Sequence, residues 1–197
     1  VAIGQGALTV SPIQLAYAIG GLANGGVWHQ PHVIKSETGA AEPRKANWDP
    51  ENIKRVVGGL YAVVNEGGTG IRARISGVPV CGKTGTAQVA SSDLVAATKD
   101  PDRFKDNAWF FGFAPCDQPE IIVTALFEAG EHGNLAAPIV RDVIKAHFDK
   151  KRRDEISRRG PAAVQTASRQ AAIAPALAPA EAAVSEEMDG RPDESNP

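Results

Sequence analysis

Lys83, Thr84, Gly85 and Thr86 stand in a row: one cation, two hydroxyls and a residue with no side chain. An ammonium group attracts a carboxylate, and hydroxyls donate hydrogen bonds to it. A glycine in an extended segment lets another backbone come close. The surrounding stretch, Val78 to Val89, begins with an apolar run rich in strand formers and ends with small and hydroxyl-bearing residues. That composition suits an extended strand lying beside an anionic substrate.

The same residues fit a second pattern. Gly77, then four residues, then Gly82-Lys83-Thr84 matches the phosphate-loop spacing, in which glycine-rich backbone cradles phosphates. Such a loop follows a buried strand and opens a helix. Here Thr69 to Ser76 contain Arg72 and Arg74 and do not read as a buried strand, whereas Val78-Pro79-Val80-Cys81, inside the supposed loop, do read as one. Gly85 directly after the hydroxyl weakens a helix start. The nucleotide-binding module is therefore the lesser reading, and the pairing of residues 78–89 decides it.

The elements that must position these groups follow from the chain as a whole. Its 197 residues suggest one domain with a tail, and a net charge of −2 gives no global basic signal for nucleic acid. No apolar run is long enough to span a bilayer. Val1 enters in mid-pattern without a signal peptide, so the chain is expected to be the C-terminal piece of something longer, with any membrane anchor upstream. Cys81 and Cys116 make neither a disulfide framework nor a metal set, and are expected to be buried free thiols lying close together if their strands pair. His29 and His32 stand three apart with no third ligand following, so no metal and no cofactor is expected.

Ser11-Pro12 opens a first helix that is apolar on most sides, hence expected to be buried, and Asn24-Gly25-Gly26 ends it. Trp28 to Lys35 reads as a short strand and Glu37 to Asn47 as a loop. Asp49-Pro50 repeats the helix opening, and Ile53, Val56, Val57, Leu60, Val63 and Val64 follow at spacings of three and four until Asn65. After the central stretch come a polar loop over Ser91 to Asp106, an aromatic strand from Asn107 to Pro115, a turn, and an apolar strand from Ile121 to Phe127. Strand, loop, strand, turn, strand is an antiparallel meander with no helical crossover. His132 lies in the next loop with no paired nucleophile nearby in sequence, and receives no catalytic role. A last helix is expected from Ala136-Ala137-Pro138 to about Lys150. The expected fold class is α+β, an antiparallel sheet flanked by helices over residues 1–150. Residues 151–197 start with a basic cluster, carry no aromatic group, and turn to alanine, proline and acidic residues from Gly160, where disorder is expected.

These pieces together resemble one family. Gly4-Gln5-Gly6, Ser11-Pro12-Ile13-Gln14-Leu15-Ala16 and Ala23-Asn24-Gly25-Gly26 resemble the segment before the last motif of class B penicillin-binding proteins. Lys83-Thr84-Gly85-Thr86-Ala87-Gln88 resembles that motif itself. Trp109 to Pro115 looks like the strand after it, and Ala136-Ala137-Pro138-Ile139 like the start of the C-terminal helix. The Ile-Gly-Gln-Gly form is similar to the elongation-type branch, penicillin-binding protein 2.

The resemblance implies part of a penicillin-binding protein/β-lactamase-like transpeptidase fold and a peptidoglycan D,D-transpeptidase. A serine would attack the penultimate D-Ala carbonyl of a stem peptide, and an amine of a neighbouring stem would resolve the acyl-enzyme; β-lactams would trap that serine. Matched residue by residue, Lys83 would take part in the proton network around the serines and Thr86 N–H would be an oxyanion donor, which makes these two the catalytic candidates. Lys83, Thr84, Gly85 and Thr86 together would bind the substrate, the two threonine hydroxyls holding its carboxylate. Implied partners are stem peptides, β-lactams and membrane proteins of the elongation machinery, at the periplasmic face of the bacterial inner membrane.

One departure stands out. None of the nine serines heads a Ser-x-x-Lys or a Ser-x-Asn pattern. In the family these lie upstream, so this polypeptide is expected to carry one wall of an active site and to be silent alone. The rivals are a β-lactamase or β-lactam sensor of the same fold, the phosphate-loop module, and an interaction domain that keeps the fold without chemistry.

Overall fold

The computed structural model describes residues 9–34, 42–90, 96–97 and 104–173, with backbone alone over 159–173. It forms two units, Val1–Asp154 and Glu155–Pro197. In the first, helix α1 (Pro12–Ala23) starts at a reciprocal cap: the Ser11 hydroxyl accepts from Gln14 N–H, and the Gln14 side chain accepts from Ser11 N–H at 2.8 Å. This arrangement satisfies two donors that the first turn leaves open. Two short strands follow, β1 (Val27–Trp28) and β2 (Arg44–Lys45), paired antiparallel. The strand expected over 28–35 is thus confined to its start, because Pro31 has no N–H for a ladder. The expected loop over 37–47 contributes β2, while residues 35–41 lie outside the described set.

Helix α2 (Pro50–Asn65) begins where the Asp49 carboxylate accepts from Glu51 N–H. The main sheet is β3 (Cys81–Ala87), β4 (Asn107–Ala114) and β5 (Ile121–Phe127), in that order and antiparallel throughout. The meander read from sequence is what forms. Cys81 faces Phe113, Lys83 faces Phe111 and Thr86 faces Ala108 across β3 and β4.

Helices cover both faces of the sheet. Helix α3 (Ala137–Ile173) packs Val140 and Ile144 with Ala108, Phe110 and Ala114 of β4. Val140 comes so close that a Cβ on Gly112 would lie 2.9 Å from its Cγ1. On the other face, Phe113 and Cys81 pack with Leu60 of α2 and with Ile19 and Leu22 of α1. The expectation that α1 is buried all round is not met: only Gly21 is buried in it, and Ile13 is 58% exposed. The sheet offers α1 one face, so only one of its two apolar sides is covered.

Helix α3 also runs past the expected end near Lys150. Alanine, arginine, lysine and glutamine dominate 151–173, and these residues favour helix even without a core to cover. In the second unit the chain is helical to Ile173, and the rest of the expected disordered tail, 174–197, lies outside the described residues. Among the described residues no helix is long and apolar enough to cross a membrane.

Candidate active site

Strand β3 is held in place from α2. Asn65, the last residue of that helix, donates its side-chain amide to the Val80 carbonyl at 2.9 Å and to the Tyr61 carbonyl at the same distance. The Cys81 sulfur lies 3.5 Å from the Val57 carbonyl oxygen. Cys81 is also joined to Cys116 by a disulfide, with Cα atoms 5.4 Å apart. This corrects the expectation of two free thiols. Cys81 opens β3 beside the end of β4, and Cys116 N–H donates to the Pro79 carbonyl at 3.1 Å, which brings the two Cα atoms inside the span that a bridge requires.

Beyond this anchored start, the strand carries its chemistry outward. Lys83 and Thr86 are exposed, and Thr84 and Gly85 are half-buried. The Lys83 ammonium donates to the Thr84 hydroxyl at 3.0 Å and to the Thr84 carbonyl at 3.1 Å. Thr69, in the loop after α2, has its hydroxyl 2.9 Å from that of Thr84. All four residues singled out in the sequence line one groove of about 480 Å³. They are in extended conformation from end to end, and no helix starts at Lys83. The phosphate-loop reading therefore falls, since its lysine and hydroxyl belong at a helix N-terminus.

The opposite wall was not legible as such. It is the turn His132–Gly133–Asn134, which follows β5 and leads into α3. Gly133 is buried against β3: a Cβ there would lie 2.8 Å from Gly85 N and 2.9 Å from the Trp109 carbonyl oxygen. Only glycine lets the turn lie this close to the strand. The turn is fixed from outside as well, with Glu131 N–H donating to the Asp106 carbonyl at 2.8 Å and Ala129 N–H to the Asn107 side chain at 3.0 Å. Both Ala129 and Glu131 hold positive φ, 54° and 57°, a conformation uncommon for residues with a side chain. Thr69 was passed over in the sequence, and His132 was named there but given no role. Their signals were slight: a hydroxyl in the glycine-rich run after α2, and an imidazole with no partner near it in sequence. Among the described residues no cluster of three or more histidine, cysteine or acidic side chains could hold a metal.

An edge strand bearing lysine and hydroxyls, paired with the aromatic-rich β4 and backed by helices on both faces of the sheet, is the arrangement of a penicillin-interacting transpeptidase domain. The chain belongs to that family: residues 1–145 match the penicillin binding protein transpeptidase domain. Several of its relatives carry the name MrdA. It is 36% identical over 156 residues to the peptidoglycan D,D-transpeptidase MrdA of Acinetobacter baumannii, covering 73% of this chain and 23% of that protein. With MrdA of Haemophilus influenzae it shares 35% identity over 171 residues, 77% of this chain and 26% of that one. Among solved structures, Pseudomonas aeruginosa PBP2 in complex with WCK 5153 superimposes with a TM-score of 0.61 at 37% identity, over 73% of this chain and 31% of that one. Penicillin-binding protein A from M. tuberculosis, as an imipenem acyl-enzyme, gives a TM-score of 0.61 at 26% identity, over 75% and 33%. The chain thus spans about a quarter of the length of these MrdA relatives.

Proposed function

We propose that this chain forms the substrate-binding wall of a peptidoglycan D,D-transpeptidase of the elongation type. The observation that carries the reading is the extended run Lys83 to Thr86, which lines a groove and is paired along β4. A donor stem peptide can lie along such an edge and exchange main-chain hydrogen bonds with it. In this reading the Thr84 and Thr86 hydroxyls hold the terminal carboxylate, and Gly85 leaves room for the peptide backbone. Thr86 N–H serves as an oxyanion donor, a role worth about 3 to 4 kcal/mol of barrier in hydrolases. Lys83, which can only donate while charged, orients the Thr84 hydroxyl and adds positive charge where protons move.

No serine of the sequence has the pattern of the nucleophile, so the reading takes the attacking serine and its lysine from a part of the full-length protein outside these residues. β-Lactams are the expected inhibitors, acting as mimics of the donor. The periplasmic face of the inner membrane is the expected location, where a disulfide such as Cys81–Cys116 persists. Membrane proteins of the elongation machinery are the expected partners. Residues 1–150 are taken as the C-terminal part of the transpeptidase domain and 151–197 as a tail that follows it.

The test is covalent labelling of the full-length protein with a fluorescent penicillin. Stable labelling is expected, and Lys83→Ala should slow it by about 10²-fold or more, the usual range for a group that moves protons. The 197-residue chain alone should take no label. Rapid release of hydrolysed penicillin would instead make the protein a β-lactamase, and full labelling of Lys83→Ala would remove the site from this strand.

A further inference from the structure

The Thr84 hydroxyl has one proton to give and two lone pairs to accept with. Lys83 Nζ lies 3.0 Å from it and, as an ammonium, can only donate, so one lone pair is taken. Thr69 Oγ1 lies 2.9 Å away on the hydroxyl's other contact. If Thr69 donates, both lone pairs are filled and the Thr84 proton has no acceptor inside this triad. It then points out as a donor, into the groove that Thr69, Lys83 and Thr84 all line. If Thr84 donates to Thr69 instead, it offers an incoming anion only its lone pair. An anionic ligand selects the first arrangement, because only that one meets it with a proton.

We infer that Thr69 is a positioning residue that sets the Thr84 hydroxyl as a donor to the substrate carboxylate. The inference deepens the transpeptidase reading and rests on it. Thr69 does not touch the reacting carbonyl. It acts through Thr84, from a loop that α2 and the Gly70 N–H bond to the Val63 carbonyl hold beside β3. The ligand class is a carboxylate-bearing acyl donor, and the expected signature is discrimination between a carboxylate and its neutral ester.

The experiment uses the full-length protein and two probes, a labelled penicillin and its methyl ester, and reads the second-order acylation rate. Thr69→Val should slow the penicillin by about tenfold, the upper range for one neutral hydrogen bond. It should leave the ester within about twofold on the same reasoning, so the preference for the carboxylate collapses. Thr69→Ser, which keeps the hydroxyl, should restore it. In a Thr84→Val background, Thr69→Val should cost nothing further, since a residue acting through Thr84 has nothing left to position. With a wild type that labels normally, equal slowing of both probes by Thr69→Val, or no slowing of either, overturns this inference alone. A wild type that neither probe labels overturns the transpeptidase reading and this inference with it.

Discussion

Cys81, the first residue of β3, is covalently tied to Cys116 just beyond the end of β4, two residues from the lysine that leads the groove. The two cysteines are 35 positions apart. Closing a loop of that length removes denatured-state freedom worth about 3 to 4 kcal/mol. Reduction of the full-length protein, or Cys116→Ala, should therefore loosen the start of β3. Amide hydrogen exchange at Cys81 to Lys83 is the measurement. Protection should fall on adding reductant, and equal protection with and without it would mean that the bridge constrains nothing there.

Asn65 supplies the second tie. Its amide donates to a carbonyl at the end of its own helix and to the Val80 carbonyl before β3, and Val80 is fully buried. Asn65→Leu keeps the bulk but removes both donors. A buried carbonyl without a partner costs about 1 to 3 kcal/mol, so the melting temperature should fall. Penicillin acylation should slow in parallel, because β3 carries the groove. A variant that melts and acylates like the wild type would show that water replaces the amide without loss.

Two glycines should respond in opposite directions. At Gly133 an added Cβ would meet Gly85 N at 2.8 Å and the Trp109 carbonyl at 2.9 Å. Gly133→Ala must push the turn off the strand, with destabilisation of about 1 to 3 kcal/mol and slower acylation. At Gly59, inside α2, an added Cβ meets nothing within 4 Å. Gly59→Ala should stabilise by roughly 0.5 to 1 kcal/mol through helix propensity. Thermal unfolding of the two variants checks both signs, and a stabilising Gly133→Ala would refute the close contact of turn and strand.

Glu120, in the turn between β4 and β5, faces α3. Its hydrogen bonds with Lys151, at 2.7 Å, hold its carboxyl below the ordinary value of 4.5, against a smaller opposing effect of desolvation, with the charges of Lys151 and His147 adding to the lowering. A depressed carboxylate contributes stability that is full above that ordinary value and is lost as pH falls through the lowered one. Glu120→Gln should thus lower stability modestly above pH 4.5, leave it unchanged at the acid end, and so make the acid limb shallower. Thermal melts across that range read it, and an acid limb as steep in the variant as in the wild type would exclude the pair as its source.

The local elements of this protein are written in its sequence because their causes are local. Ser11-Pro12 and Asp49-Pro50 cap helices through their own neighbours. The alternation of apolar runs and turns from Val80 to Phe127 dictates a meander, and with it the placement of Lys83 and Thr86 on a strand. The site motif was legible for the same reason, since four adjacent residues need no fold to bring them together.

What only the tertiary structure decided were the relations across distance. Thr69 meets Thr84 because α2 packs beside β3, and the turn at His132–Asn134 becomes a wall because Gly133 fits against Gly85. Cys81 and Cys116 bond because β3 and β4 pair in the register Cys81 to Phe113, and sequence spacing carries no register. The exposure of α1 was likewise out of reach, because an apolar helix buries only as many sides as its neighbours cover.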